Sequence, residues 1–187
     1  HISSTSVYGK QTDLVDETCE KKYLKPQSPY ANIKLIEENM LKKVKNKIKF
    51  VSFRFGTISG VSRGMRFHTA VNKFCYNASL GKPLTVWKTA LNQKRPYLGI
   101  NDACSSIIFF INNPKFFNKT YNVLSSNLTV KNIINYIKLV KKVKVNFVKI
   151  VLSSDAKRSI ICLISLPFLC LNLACSFNIN FTLIRIC

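Results

Sequence analysis

The sequence is poor in several residue types, and each shortage excludes a class of protein. Its 187 residues include only six glycines and six prolines, which excludes a collagen-like repeat or a long flexible linker. Two histidines, and seven cysteines without a C-x-x-C pair, offer no recognisable set of zinc ligands, so we expect no metal site. An odd number of cysteines without paired spacing is typical of reduced thiols, and we therefore expect a cytoplasmic protein.

Acidic residues are also scarce. Eight Asp and Glu stand against 29 Lys and Arg, which gives a formal net charge of +21. Such a charge suggests nucleic acid or an anionic membrane as a partner. However, the basic residues are mostly lysines spread along the chain, whereas nucleic-acid surfaces usually concentrate arginine among exposed aromatic side chains. We therefore expect no nucleic-acid partner and interpret the charge as a compositional bias.

Apolar residues make up 47% of the chain, and their spacing predicts alternating strands and helices. A buried strand over the first residues should end at Gly9, and Ser28-Pro29 should begin an amphipathic helix. The first helix is predicted over 29–46, followed by a strand over 48–53 and a glycine-containing loop over 56–66. Further helices are predicted over 67–80, 101–112 and 129–142. Further strands are predicted over 84–87, 97–100, 120–124 and 144–150. This alternation predicts an α/β fold.

Seven side chains are assigned structural roles. A strand arginine needs a partner when buried, so we expect Arg54 to pin the strand or a loop carboxylate rather than to contact a ligand. Asp102 should cap the helix that begins beside it, and Trp87 should pack in its short strand. The phenylalanines at 109, 110, 116 and 117 are expected in the core.

The end of the sequence differs from the rest, because residues 160–184 contain no charged side chain. The length could cross a bilayer, but Pro167 and several Asn and Ser side chains weaken that interpretation. We prefer an anomalous, out-of-frame tail, followed by buried core elements and then by a membrane span. A membrane is therefore not an expected partner.

Three polar side chains stand in an order that suggests proton transfer. Ser4 lies within S-S-T-S-V-Y-G (3–9), where the first strand should end, while Tyr30 and Lys34 open the first helix. The i, i+4 spacing puts phenol and ammonium on one helical face, about 5–6 Å apart at Cβ. The positive charge would favour the phenolate, so the phenol could exchange a proton with a substrate hydroxyl. The alternative is that Tyr30 packs and Lys34 is solvated, since Y-x-x-x-K alone is weak in a lysine-rich chain.

These motifs resemble the extended short-chain dehydrogenase/reductase family, and in particular its NAD-dependent nucleotide-sugar epimerases and dehydratases. H-I-S-S-T-S-V-Y-G (1–9) is similar to the catalytic strand end of that family, and S-P-Y-A-N-I-K (28–34) to its tyrosine–lysine helix. F-R-F-G-T-I-S-G (53–60) and Q-K-R-P-Y-L-G-I-N-D-A (93–103) are similar to segments that meet the cofactor and the sugar nucleotide. The resemblance covers about residues 1–150.

The resemblance implies an α/β fold made of the C-terminal part of a Rossmann-like, doubly wound parallel sheet and a small α/β substrate-binding region. Residues 1–60 would belong to the NAD-binding domain, 61–150 to the substrate-binding region and 151–187 to an atypical apolar tail. Ser4, Tyr30 and Lys34 would be catalytic, and Tyr30 and Lys34 would also contact NAD. The residues that would bind the substrate are Ser4, Thr5, Thr57, Asn72 and Arg95.

Two departures from the family pattern bear on the activity. The glycine-rich dinucleotide loop, which precedes the serine in the family, is absent from this sequence, so we expect an incomplete chain. The start at His1 rather than Met suggests the same. The 4,6-dehydratases carry an Asp-Glu pair where Thr5 and Ser6 stand here, so the resemblance favours epimerisation over dehydration.

The expected function is therefore NAD-dependent epimerisation of a nucleotide sugar, by transient oxidation and re-reduction of a sugar hydroxyl. Family members often pair through the helix that carries the tyrosine, which implies a homodimer through the Tyr30 helix. The alternative is a non-catalytic, basic, membrane-associated binding protein that uses the basic surface and the apolar tail.

Overall fold

Strands and helices alternate along the chain, as the sequence predicts. The structure is a computed structural model that describes residues 1–11 and 15–148. The strands are β1 (Ile2–Ser4), β2 (Val51–Phe55), β3 (Thr57–Ser59), β4 (Leu84–Trp87), β5 (Lys94–Gly99), β6 (Lys119–Val123), β7 (Ser126–Thr129) and β8 (Val145–Val148), and the α-helices are α1 (Pro29–Lys43), α2 (Ala70–Ser79), α3 (Ile100–Ile111) and α4 (Val130–Val140). The predicted α/β class is confirmed.

The tail over 151–187 lies outside the described residues, and so do the three interpretations given to it. Within the described ranges, no helix has both the length and the apolar character needed to cross a bilayer.

Three parallel strands form the sheet that carries the candidate site, in the order β1-β2-β6. Ser4 lies opposite Phe55, and Phe55 lies opposite Val123, so the three strands end at one edge. Open parallel sheets bind their ligands at the edge where the strands end. β6 completes this sheet although it lies within 61–150, and the boundary at residue 60 stays a prediction.

The other strands form two smaller sheets. β5 pairs in parallel with β3 and antiparallel with β7, while β4 pairs in parallel with β8. Helices α2 and α4 contribute to the main apolar core beside β4 and β5, whose buried members are Phe74, Ala78, Leu84, Val86, Tyr97, Val130, Ile133 and Ile134. A second core joins β2 to β5 and α3 through Val51, Phe53, Phe55, Leu98 and Ala103.

Helix α1 begins as predicted and ends earlier. The Ser28 side chain accepts a hydrogen bond from the backbone N–H of Ala31 at 3.2 Å, and Pro29 occupies the first turn. The helix ends at Lys43 rather than at residue 46. Ala31 and Glu38 are its buried side chains, whereas the stripe formed by Ile33, Ile36 and Met40 is exposed.

Local structure departs from the sequence prediction at three points. The first strand ends at Ser4, and residues 5–8 form a 3-10 turn instead. Strand β3 lies within the predicted loop 56–66, and strand β7 was not predicted. Both strands are short and carry few apolar residues, so they lack the alternation that identifies a strand.

Three predictions for single side chains are wrong within the described residues. Trp87 is 59% exposed and Phe109 is 47% exposed, so neither is a core residue there. Asp102 does not cap α3 directly, because the N-cap is Gly99. Its carboxylate instead accepts a hydrogen bond from the Ser125 hydroxyl, whose oxygen accepts from the Gly99 N–H at 2.8 Å.

Gly9 closes the 3-10 turn that follows β1. Its φ of +67° lies in the left-handed region, and a Cβ atom at this position would collide with the backbone carbonyl of Lys25. Glycine is therefore required twice, for conformation and for space. Gly81 has nearly the same φ of +69° but has nothing within 4 Å of its Cβ position.

We predict that G9A destabilises the protein far more than G81A. The left-handed conformation alone should cost about 1 kcal/mol in G81A, whereas the added collision should bring G9A to the order of 3 kcal/mol. Urea unfolding of both variants measures the difference. Equal losses would show that the approach of Lys25 does not constrain the turn.

Candidate functional site

Ser4 stands at the edge where the parallel strands end. It is the last residue of β1, and its Oγ accepts a hydrogen bond from the Ser6 N–H at 3.2 Å, which caps the 3-10 turn over 5–8. Within the described part of the chain, the Ser4 hydroxyl donates to no protein acceptor. The cap thus holds the oxygen in place while its proton stays available to a ligand.

Tyr30 and Lys34 lie in the first turns of α1, with the i, i+4 relation that the sequence predicts. The Lys34 Nζ lies 5.7 Å from the centroid of the Tyr30 ring, and the ring is 55% exposed. The alternative expectation, that Tyr30 packs while Lys34 is solvated, does not describe this geometry, because the less exposed side chain is Lys34. The pair therefore combines an accessible phenol with a partly shielded cation.

Glu37 contacts Lys34 and was not identified from the sequence. Its Oε2 accepts from Lys34 Nζ at 2.9 Å and lies 2.8 Å from Nε2 of the His1 ring. The i, i+3 spacing from Lys34 was a signal that could have identified it. This carboxylate orients the lysine side chain along the helix.

Helix α1 packs against β1 and against the 3-10 turn. Leu35 of α1 is partly buried against Val7 and Tyr8 of that turn. The fold therefore brings the element that carries Tyr30 and Lys34 against the element that carries Ser4.

A buried polar group, here named the Arg54 cluster (Ser3, Tyr8, Glu38 and Arg54), joins these elements. Arg54 donates from Nε to Glu38 Oε1 at 2.9 Å and from Nη2 to Glu38 Oε2 at 2.7 Å. Ser3 Oγ donates to Glu38 Oε1 at 2.6 Å, and Arg54 Nη1 donates to the Tyr8 hydroxyl at 2.8 Å. The structural role predicted for Arg54 is confirmed, but its carboxylate partner comes from a helix and not from a loop.

The cluster shifts the protonation of its members. Burial alone would raise the pKa of Glu38, but hydrogen bonds from Arg54 and Ser3, with the charge of Arg54, hold it below its ordinary value. Burial alone would lower the pKa of Arg54, yet the hydrogen bond to Glu38 and the contact with Tyr8 raise it. Burial raises the pKa of Tyr8, against the opposing charge of Arg54. The cluster is therefore a neutral phenol beside an ionised pair.

Two of the predicted substrate residues lie near the ends of β1 and β2. Thr5 Oγ1 donates to the carbonyl of Phe55 at 3.2 Å, so this side chain ties the turn to β2. Thr57 is the first residue of β3, directly after that strand end. Their roles toward a ligand stay predictions.

The other two predicted substrate residues lie in the second part of the chain. Asn72 is buried, and its amide accepts from the Gly60 N–H at 3.2 Å and donates to the Arg66 carbonyl at 3.1 Å. In this arrangement Asn72 holds the loop between β3 and α2. Arg95 is exposed on β5, with Nη2 donating to Gln93 Oε1 at 3.2 Å. Both roles toward a ligand stay predictions as well.

Acidic and thiol groups do not converge on this region. Among residues 1–11 and 15–148, no group of three His, Cys, Asp or Glu side chains is arranged to hold a metal ion.

Parallel strands that end at a common edge, with a phenol–ammonium pair on the next helix, define an α/β protein of the Rossmann-like class. A family model described as "NAD dependent epimerase/dehydratase family" matches residues 1–123. The chain belongs to the NAD-dependent epimerase/dehydratase family, as the motifs suggested. No curated protein matches the chain.

Solved structures share this fold. UDP-glucuronic acid 4-epimerase from Bacillus cereus, in complex with UDP-glucuronic acid and NAD, is 24% identical with a TM-score of 0.68, over 80% of this chain and 48% of that chain. ADP-L-glycero-D-manno-heptose-6-epimerase from Helicobacter pylori is 19% identical with a TM-score of 0.66, over 79% and 47%. dTDP-glucose 4,6-dehydratase from Bacillus anthracis, in complex with NAD, is 23% identical with a TM-score of 0.63, over 79% and 48%. This chain spans about half the length of these proteins.

We predict that Glu38 makes the stability of the protein depend on acid pH. Because the folded-state pKa lies below the ordinary value of 4.5, the stabilisation is present above that value and is lost as pH falls through the folded pKa. E38Q should be less stable at neutral pH and should lose less stability on acidification. Urea unfolding over an acid pH series measures how the free energy of unfolding of the wild type and of E38Q changes with pH, with E20Q as an exposed control. Parallel curves for wild type and E38Q would contradict the prediction.

Proposed function

We propose that this chain carries the proton-transfer part of an NAD-dependent epimerase that acts on a nucleotide sugar. The observation that carries the proposal is the accessible Tyr30 phenol, with Lys34 beside its ring, on a helix packed against the strand end that bears Ser4. Family membership over residues 1–123 and the fold shared with nucleotide-sugar epimerases support it.

Each of the three side chains has a defined task. Tyr30 takes the proton from the sugar hydroxyl that is oxidised and returns it when the hydroxyl is re-formed. The Lys34 ammonium stabilises the phenolate between these steps by charge attraction. Ser4 donates its free hydroxyl proton to the same sugar oxygen and so orients it for transfer.

The side chains present also suit the cofactor. Lys34 and Tyr30 offer an ammonium and a phenol that would hydrogen-bond to the ribose hydroxyls of NAD. NAD, when bound, accepts a hydride from the sugar carbon and gives it back. The residues of this chain would bind the sugar and handle the proton of its hydroxyl.

Arg95 and the hydroxyls near the strand ends would bind the substrate. The exposed guanidinium of Arg95 suits the diphosphate of a nucleotide sugar, because it can form paired, charge-assisted hydrogen bonds. Thr5 and Thr57 would contact the sugar, and Asn72 would act through the loop that it holds. Neither Thr5 nor Ser6 can protonate a leaving hydroxyl, which favours epimerisation over dehydration.

Two properties of the whole protein belong to the proposal. The unpaired thiols of Cys19 and Cys104 suit a reducing compartment, and we place the protein in the cytoplasm.

The exposed stripe formed by Ile33, Ile36 and Met40 supports a homodimer through α1, because a second copy would remove these side chains from water.

We predict that Y30F lowers kcat/KM by roughly 100-fold or more, because the proton acceptor is lost, and leaves NAD binding intact. The assay follows interconversion of UDP-sugars with NAD, using this chain and the longest product of its gene. Y23F is a matched control, since Tyr23 also has a lysine, Lys22, over its ring, at 4.9 Å.

Two results would contradict the proposed function. One is wild-type activity in Y30F. The other is the absence of both NAD binding and turnover in the longest product with every nucleotide sugar supplied.

We predict that I36E yields a monomer while the wild type sediments as a dimer, because the charge would be buried at the interface. I108E is the control, since Ile108 on α3 is equally exposed, at 60% against 58% for Ile36. Analytical ultracentrifugation measures all three proteins. Dissociation by I108E alone would place the interface on α3 instead.

A further inference from the structure

We propose that Arg54, Glu38 and Ser3 are positioning residues for proton transfer. They fix the rotation of α1 about its axis, and therefore the direction in which Tyr30 and Lys34 point relative to Ser4. The inference rests on the proposed function, because it concerns the same site.

The three residues tie three elements at one point. Glu38 on α1 accepts two hydrogen bonds from Arg54 on β2 and one from Ser3 on β1. All three side chains are nearly inaccessible to solvent, so water competes little for these bonds. A bidentate arginine–carboxylate pair fixes the plane of the carboxylate as well as its position. The cluster therefore constrains the orientation of α1 relative to β1 and β2, whereas apolar contacts impose no such directional constraint.

Glu38 lies on the helical face that carries the proposed catalytic pair. Tyr30, Lys34 and Glu38 follow one another at intervals of four residues, and each interval advances about 40° around the axis and about 6 Å along it. On the other element, Ser3 directly precedes Ser4 in β1. The Ser3–Glu38 hydrogen bond thus links the neighbour of Ser4 to a residue about one helical turn from Lys34.

Few other contacts fix the rotation of α1. Besides Glu38, its buried side chain is Ala31, which has no length to resist turning. Leu35 is only partly buried, and Ile33 and Ile36 are exposed. Among the described contacts of this helix, two are directional: the Arg54 cluster, which is buried, and the contact of Glu37 with the His1 ring at 2.8 Å, which is partly exposed.

A small rotation would be enough to misplace the phenol. With the side-chain tip about 6 Å from the axis, a turn of about 20° moves it by about 2 Å. Misplacing a reacting group by about 1 Å can reduce a rate roughly 100-fold. A loss of positioning by this cluster should therefore be measurable as a fall in the reaction rate.

The test compares E38L/R54L with the wild type in the full chain, with 3-fluorotyrosine incorporated at residue 30. Replacing a buried ion pair with apolar residues of similar volume often preserves stability, so folding and positioning can be separated. The control is E20L/K22L, which removes an exposed ion pair of 2.9 Å. The readouts are urea unfolding, the fluorine NMR resonance of residue 30, and kcat and KM of the longest gene product.

We expect E38L/R54L to unfold at nearly the wild-type urea concentration, while its fluorine resonance broadens or splits. Its kcat should fall roughly tenfold or more with little change in KM, and E20L/K22L should match the wild type. A single sharp wild-type resonance with wild-type kcat would overturn the inference.

If E38L/R54L does not fold, R54K decides the question, because lysine keeps the charge but cannot form the two-point bond. A broadened fluorine resonance in folded R54K supports positioning, and an unchanged one overturns it. If no sample converts a nucleotide sugar, the proposed function fails, and the fluorine resonance still decides whether the cluster positions residue 30.

Discussion

The ion pair between Arg54 and Glu38 is the constraint on which the rest of the site depends. Each ion loses its hydration when buried, and hydrogen bonds between the two ions and to neighbouring hydroxyls offset this loss. Glu38 receives Arg54 and Ser3, and Arg54 also reaches Tyr8. These bonds join helix α1, strands β1 and β2, and the 3-10 turn over 5–8.

Much of the local structure could be predicted from the sequence, but the contacts between residues far apart in the chain could not. Ser28-Pro29 marked the start of α1, and the i, i+4 spacing of Tyr30 and Lys34 predicted their common face, because both signals act within one helical turn. The sequence also predicted a structural role for Arg54. It could not identify Glu38, since a helical glutamate in a lysine-rich segment has the pattern of a solvated residue. The prediction that Trp87 packs is wrong for the opposite reason: an apolar residue in a strand can lie on the face that is exposed to solvent.

The division of labour in the site follows from the fold. In the proposed site, β1 would supply a hydroxyl held by a backbone cap, α1 a phenol and a cation, and β5 an exposed guanidinium. The family match covers β1, α1 and β5. This chain spans about half the length of the related structures.

A crystal structure of the longest gene product with NAD and a UDP-sugar tests the central claim most directly. The account predicts one sugar hydroxyl within about 3.2 Å of both the Tyr30 phenol oxygen and Ser4 Oγ, with Lys34 against the cofactor ribose. A sugar bound away from both oxygens, in a chain that keeps the Arg54–Glu38 pair intact, would contradict it.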